Sequence, residues 1–261
     1  MQPLVSIVIV TWNRKNGVIN LLRSIQNNTY KDVEVIVVDN HSTDGTVKEI
    51  RSNFPWVKLI VMPDSSYGAC EEFNMGFANA IGKYIAVLDD DSTLPPNWIE
   101  NAVKKFEGEP EDVAVLATKI VEPSGLSWPS KDKMNKEFYC GFFSGAGTII
   151  RRSALKKTRG YPKEYFIFGN EDELAAQFLS KGYKIKYFPE VTTYHRFGSE
   201  YRKSSSRLAK KVFYYYMRNR LWTIWMHESR GRLVKKTIGH LYILLKSFKI
   251  WVCYNLCQGI N

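Results

Sequence analysis

The sequence predicts an α/β fold: a mixed, mostly parallel sheet flanked by helices, with a basic helical extension behind it. Two observations carry this expectation. Strand-length β-branched runs alternate four times with helix-spaced segments within residues 1–110, the pattern of a parallel sheet wound on both faces. Charge is also divided unevenly: residues 201–261 hold thirteen Lys or Arg against the single acid Glu228, so the first 200 residues sum to −1 although the 261-residue chain carries +11. The expected units are a near-neutral body at 1–200, with halves at 1–110 and 111–200, and a cationic, aromatic tail at 201–261.

The elements follow in order. "VSIVIVTW" (5–12) is a strand, and after a polar loop "VINLLRSIQN" has helical spacing. "VEVIVVD" ends a second strand at Asp39, and a polar turn leads to the helix "TVKEIRSNF". "VKLIVMP" is the third strand, followed by the helix "ACEEFNMGFANAI", with Gly82 as its expected stop. "KYIAVLDDD" is the fourth, and Pro95-Pro96 opens the helix "NWIENAVKKFE". "VAVLATKIV" and "GAGTIIRRSAL" read as strands in less regular chain, "NEDELAAQFLSKG" as a helix ending at Gly182, and "YKIKYFPEVTTYHR" as a strand broken at Pro189. Beyond Ser204 the pattern is helical, basic and aromatic.

Composition removes several classes. At 44% hydrophobic and 24% charged residues the chain is ordinary globular protein. The opening "MQPLVSIVIVTWNRK" has no basic segment before its apolar run, which argues against secretion, and no window reaches the roughly 20 apolar residues of a spanning helix. Cys70, Cys140, Cys253 and Cys257 lie too far apart for a zinc site, except the last pair, whose i, i+4 spacing suits one helix face, and they read as reduced thiols of a cytoplasmic protein. Neither GxGxxG nor GxxxxGK occurs, which weakens dinucleotide and P-loop readings.

Open parallel sheets bind ligands beyond the carboxyl ends of their strands, so the polar residues there are the candidates. In "IAVLDDDSTLPP" alternate side chains share a face, so Asp89 and Asp91 converge while Asp90 points away. Two convergent carboxylates beside ligand phosphates suit Mg²⁺ or Mn²⁺; the competing reading is a solvated acidic turn capping the next helix. Asp39 is placed to accept bonds from a ribose or a base edge, or else belongs to the turn built by Asn40, Ser42, Asp44 and Gly45.

"VSIVIVTWNR", "VEVIVVDNHSTDGT", "FNMGFANAIGKYIAVLDDDSTLPP" and "GNEDELAAQFLSKGYKIKYFPEVTTYHR", in this order, resemble glycosyltransferase family 2, and within it the bacterial and archaeal branch containing rhamnosyltransferase-like enzymes. The resemblance covers residues 4–200, and "YYYMRNRLW" is similar to the tail many such proteins carry. It implies a GT-A type, Rossmann-like nucleotide-binding fold, a nucleotide-sugar donor, a divalent metal and inversion at the anomeric carbon. By position, Thr11 and Asp39 resemble base and ribose contacts, with Asn13 and Arg14 nearby and Asn74 and Asp90 on the donor side. Asp89 and Asp91 resemble the outer members of a DxD motif, the first near the nucleotide and the second on the metal; His195 resembles a position that reaches metal or diphosphate, against a structural histidine.

The catalytic base is where the sequence departs from the family. Members carry Glu-Asp with the Asp as base, and Glu171-Asp172 matches by eye. An ungapped count back from Gly182 puts the base position on Glu171, with Asn170 at the usual Glu. Both carboxylates stand as candidates, Glu171 preferred, with Glu173 as the helix-facing acid that follows; the plain alternative is an acidic helix start. "FFSGAGTIIRR" (142–152) resembles an acceptor-site lining, and Trp98 and Trp128 are candidate sugar platforms as well as candidate core.

The tail fits a pair of interfacial helices on an anionic membrane, as an enzyme with a lipid-linked saccharide acceptor would need at the cytoplasmic face. Packing on the body or an oligomer interface is compatible with that use, whereas no nucleic-acid module is recognisable. The rival enzyme class is a nucleotidyltransferase, for which "TWNRKNG" is a poor Gly-rich, Lys-bearing loop. The rival outside enzymology is a membrane-associated sugar-binding scaffold, which would have no need of the carboxylates.

Overall fold

Period-two alternation in the central strands divides the core into two layers. In β1 (Val5–Thr11), Val5, Ile7 and Ile9 face one layer and Val8 the other; Val35 and Val37 oppose Ile36 and Val38 in β2 (Val33–Asp39), and Tyr84, Ala86 and Leu88 oppose Ile85 and Val87 in β4 (Tyr84–Asp89). Strands buried on both faces read as continuous apolar runs, which is why these were legible. The computed structural model describes residues 2–123, 125–196, 206–227, 237–239 and 242.

One layer is made by α1 (Lys15–Gln26), α2 (Thr46–Asn53) and α4 (Trp98–Glu107), through Leu21, Leu22, Ile50, Trp98 and Phe106. The other is made by α3 (Ala69–Asn79) and α6 (Asn170–Ser180), through Phe73, Leu174 and Phe178. The sheet runs β3 (Lys58–Val61), β2, β1, β4, β9 (Thr148–Arg151), β6 (Val113–Glu122), β10 (Lys184–His195), β5 (Ser92–Thr93). Pairs β3/β2, β2/β1, β1/β4 and β6/β10 are parallel; β9 is antiparallel to both neighbours. Two short strands, β7 (Gly125–Trp128) on β6 and β8 (Phe138–Cys140) on β10, complete it. The sheet is therefore mixed, with helices on both faces.

Three expectations need correction. Pro189 does not break β10; the strand continues, and its register against β6 shifts between Phe188 and Thr192, because a residue without N–H is accommodated where the ladder skips. Gly82 does not end α3, which stops at Asn79; Gly82 is needed because a Cβ there would collide with Leu4 O and the Ser6 backbone of β1. Of "GAGTIIRRSAL" only Thr148–Arg151 is strand, and Arg152–Leu155 turn into the short helix α5.

In the tail, α7 (Ser206–His227) is helical and packs on α6; most of the second expected helix, with Cys253 and Cys257, lies outside the described residues. Cys70 and Cys140 are free thiols. Among the described residues no helix is long and apolar enough to cross a membrane.

Candidate functional site

The carboxyl ends of β1, β2, β4 and β10 meet at one edge of the sheet. There β5 determines the arrangement: although two residues long, it pairs Ser92 with His195 and Thr93 with Tyr194, drawing the end of β10 against the chain leaving β4. Ser92 Oγ donates to Ala146 O at 3.0 Å and Trp98 Nε1 donates to Thr193 Oγ1 at 2.9 Å, fixing both sides of the pair. Trp98 is thus 1% exposed and belongs to the core, not to a sugar platform; Trp128 is half-buried among Phe138, Phe142 and Tyr187.

This brings Asp89, Asp91 and His195 together. His195 Nε2 lies 3.2 Å from Asp89 Oδ2 and 3.0 Å from Asp91 Oδ1, with Glu122 Oε1 3.8 Å from its other nitrogen. One nitrogen and two carboxylate oxygens within 4.8 Å of one another form a donor set that fits Mn²⁺ or Mg²⁺. Burial alone would lower the His195 pKa, but its bonds to Asp89 and Asp91 outweigh this and raise it to about 10. A proton on His195 therefore occupies the electrostatic position of a cation. Burial opposes ionisation of Asp91 too, yet His195 and Arg14 hold its carboxyl below the usual range.

Asp90 turns the other way, as alternation requires. Its Oδ2 accepts from Thr11 Oγ1 at 2.8 Å and its Oδ1 lies 3.1 Å from Arg14 Nη1, which also reaches Asp91 Oδ2 at 2.7 Å. Burial pushes Asp90 up to about 7 despite these partners. Gly17, in the first turn of α1, allows the Asp90 backbone to approach, since a Cβ there would lie 2.9 Å from Asp90 O. Thr11 and Arg14 are thus engaged within the carboxylate cluster itself.

Asn13 and Asp39 shape the neighbouring loop. Asn13, at φ 51°, accepts the Thr43 N–H at 2.7 Å, and Asp39 Oδ1 accepts the Ser42 N–H at 2.8 Å. Asp39 Oδ2 is buried with no hydrogen-bond partner among the described residues, and so is Oε1 of Glu72, a buried α3 residue that the sequence reading missed. Burial, then the charges of Asp39 and Glu71, push Glu72 up to about 8. Asn74 does not join the cluster: Tyr161 O accepts from its amide nitrogen at 2.6 Å, and its amide oxygen accepts the Tyr161 N–H at 2.9 Å. It lines instead an open groove of about 650 Å³ with Arg159, Pro162, Tyr165, Trp222 and Trp225.

Glu171 and Asp172 open α6 but face different surroundings. The Glu171 carboxylate lies against Gly145, where any Cβ would strike Oε1, which places it over the segment "FFSGAGTIIRR". Burial, with the negative charges of Asp89 and Asp172, pushes Glu171 up to about 8. Asp172 is also raised by burial, but the nearby charge of Arg220 on α7 opposes this. Glu173 is fully buried and bonded to His227 Nε2 at 2.9 Å and to Arg159 at 3.4 Å, so it ties helices together.

A mixed sheet wound on both faces, with acidic strand ends, a histidine drawn to them and an acidic helix start beside them, defines the GT-A class of glycosyltransferase folds. Solved structures agree on the fold: the mannosyltransferase PcManGT from Pyrobaculum calidifontis in complex with GDP-Man and Mn²⁺ (TM-score 0.61, 17% identity, 96% of this chain and 83% of that one), and S. aureus TarS 1-349 (0.66, 19%, 87% and 67%). The chain belongs to glycosyl transferase family 2, whose sequence profile matches residues 6–171. Curated relatives include glycosyltransferase AglE of Haloferax volcanii, 25% identical over 84% of this chain and 76% of its own, and the GalNAc(5)-diNAcBac-PP-undecaprenol beta-1,3-glucosyltransferase of Campylobacter jejuni, 26% identical over 66% of this chain. The match spans only 59% of that Campylobacter protein, 51% of a probable glycosyltransferase of Bacillus subtilis and 33% of an uncharacterized one of Haemophilus influenzae.

Proposed function

We propose that the protein is an inverting, metal-dependent glycosyltransferase that moves a sugar from a nucleotide-sugar donor to a glycan or lipid-linked acceptor. The observation that carries this reading is the pairing of an Asp89–Asp91–His195 donor set with the neighbouring buried carboxylate of Glu171, which the charges of Asp89 and Asp172 push towards its protonated form. Asp39 would receive the nucleoside through its unpaired oxygen. Asp89, Asp91 and His195 would hold Mn²⁺ or Mg²⁺, which when bound compensates charge growing on the leaving diphosphate.

Glu171 then acts as general base. The acceptor hydroxyl oxygen bonds to the anomeric carbon while Glu171 takes its proton, and the bond from that carbon to the diphosphate oxygen breaks with its electron pair leaving on the diphosphate. One displacement inverts the centre, and no protein nucleophile is needed. The charge of Arg220 acts on Asp172 instead. The lipid-linked acceptor is supported by the named substrate of the Campylobacter relative, and peripheral attachment at the cytoplasmic membrane face by the exposed Tyr214, Trp222 and Trp225 of a basic helix.

The test is a thermal-shift panel of nucleoside diphosphates and nucleotide sugars, with and without Mn²⁺, on the wild type and Asp91→Asn. A ligand held by the native state raises the midpoint with its concentration over Kd. A Mn²⁺-dependent shift in the wild type, absent in Asp91→Asn, is expected. A shift indifferent to metal and to Asp91 would remove the metal from the reading, and no shift with any nucleotide would favour the scaffold.

A further inference from the structure

The segment entering α6 is strained and held from outside. Phe166 (φ 64°) and Phe168 (φ 67°) both occupy the left-handed region, which bulky side chains avoid, and Gly169 (φ 73°) follows them. Such a run persists only where the surroundings hold it. The α3 side supplies one contact, with Phe166 O accepting the Cys70 N–H at 3.2 Å and Phe166 seated on Gly68. The larger share comes from α7.

Asn219 is fully buried, and its Nδ2 lies 2.9 Å from Tyr165 O, 3.0 Å from Ile167 O and 2.7 Å from Phe168 O, so the two hydrogens of one amide are shared among three carbonyls of the strained turn. Arg218 fixes which way that amide points. Its Nε–H donates to Asn219 Oδ1 at 2.9 Å, while its Nη2 donates to Glu164 O at 2.7 Å and Tyr165 O at 3.1 Å. The Thr223 and Tyr165 hydroxyls pair at 2.8 Å one turn further along. α7 also comes close at Gly169: a Cβ there would lie 3.3 Å from Asn219 Cβ. Glu171 is two residues beyond.

We propose that Arg218 and Asn219 are positioning residues for the Glu171 carboxylate, acting from α7 on the 164–169 turn. The inference rests on the reading of Glu171 as base. It gives the "YYYMRNRLW" stretch a part in the chemistry that is separate from membrane or partner contact. The hydrogen bonds of the two side chains go to the 164–168 carbonyls and to each other, not to Asp89, Asp91 or His195; they set where α6 begins, hence how Glu171 meets an acceptor hydroxyl. Misplacing a reacting group by about 1 Å can reduce turnover about a hundredfold. Donor binding, built on β1, β2 and β4, is left alone.

The experiment uses the full chain with Asn219→Asp, which keeps the shape and loses the donors, and Arg218→Lys, which keeps the charge and loses the fork. Three readouts are compared with wild type and Glu171→Gln: Mn²⁺-dependent binding of UDP and GDP, kcat and KM for nucleoside diphosphate release from UDP-GlcNAc or GDP-mannose, and amide hydrogen exchange over residues 164–173. Expected are unchanged binding and KM, a fall in kcat of about tenfold or more, and faster exchange confined to 164–173. Should Asn219→Asp fail to fold, Arg218→Lys alone decides. Wild-type exchange across 164–173, or an unchanged kcat, overturns the proposal, as does a change carried mainly by KM. If Glu171→Gln itself turns over normally, the base assignment fails instead, and that result is separate.

Discussion

Asp91 and Glu171 are carboxylates of one site whose pKa values move in opposite directions. Asp91 meets two protein cations, Arg14 at 2.7 Å and His195 at 3.0 Å, and its carboxyl is held low. Glu171 is buried beside the negative charges of Asp89 and Asp172, and rises to about 8. Environments that separate two acids in this way assign roles: the one kept ionised is suited to holding a cation, and the one that prefers its proton is suited to taking one. The difference comes from neighbours on distant strands and helices, since both residues are acids beside acids in the chain.

The largest effect that tests this contrast comes from removing the base. Glu171→Gln is expected to lower turnover by about 10²–10⁴-fold, the range general-base catalysis contributes, while Mn²⁺-dependent binding of a nucleoside diphosphate is kept. Asp172→Asn, at a carboxyl that the Arg220 charge favours in its ionised form, is expected to stay within a few-fold of wild type. Single-turnover kinetics on both variants checks this. The reverse order, with Asp172 essential and Glu171 dispensable, would return the base to the Asp of the Glu-Asp pair that matches the family by eye.

The next effect is a pH dependence. A base must be deprotonated to act, and Glu171 binds its proton up to about 8. Turnover is therefore expected to rise with pH through a limb near 8 and to fall towards neutrality and below, with a slope of one proton. A bound cation beside Asp89 would draw that limb downwards, so the profile should shift to lower pH at saturating Mn²⁺. A limb near 4 that ignores Mn²⁺ would show a base far more solvated than Glu171.

Local pattern accounts for much of this molecule and fails at identifiable places. The apolar runs of β1, β2 and β4 and the carboxylates that follow them were legible because a doubly buried strand has no polar interruptions until it ends. The convergence of Asp89 with Asp91 follows from alternation alone. What joins His195 to them is β5, and a two-residue strand has no period to read. The Pro189 shift in β10 was hidden because a proline marks a missing bond, not how neighbouring chain absorbs it. The setting of Asn74 was hidden for a similar reason: its partner is the backbone of Tyr161, 87 residues away. Glu72 was missed outright, since nothing in "GACEEFNMG" distinguishes the buried glutamate from the half-buried Glu71 beside it.

Glu72 supplies the smallest effect and the cleanest control on the contrast, because it too is buried and raised, but in the first turn of α3 and not at the start of α6. Its Oε1 is unpartnered and its folded pKa, about 8, lies above the ordinary 4.5. A raised carboxyl binds its proton more tightly when folded, so its contribution to stability is full below about 4.5 and is lost as pH rises through about 8. Glu72→Gln keeps the volume, cannot ionise and places an N–H donor near Asp39, whose Oδ2 lacks a partner. The variant should match wild type in mild acid and be more stable by about 1–3 kcal/mol in mild alkali, the penalty of a buried unsatisfied polar group. Glu171 adds the same sign of slope, so the comparison is made in both backgrounds, with and without Glu171→Gln, by urea unfolding across that pH range. Parallel stability curves for Glu72→Gln and wild type would mean that Glu72 titrates like a solvated acid, and that burial is not enough to raise a carboxyl in this sheet. A divergence that persists in the Glu171→Gln background would show that burial suffices, and that the base owes its function to the position at which α6 presents it.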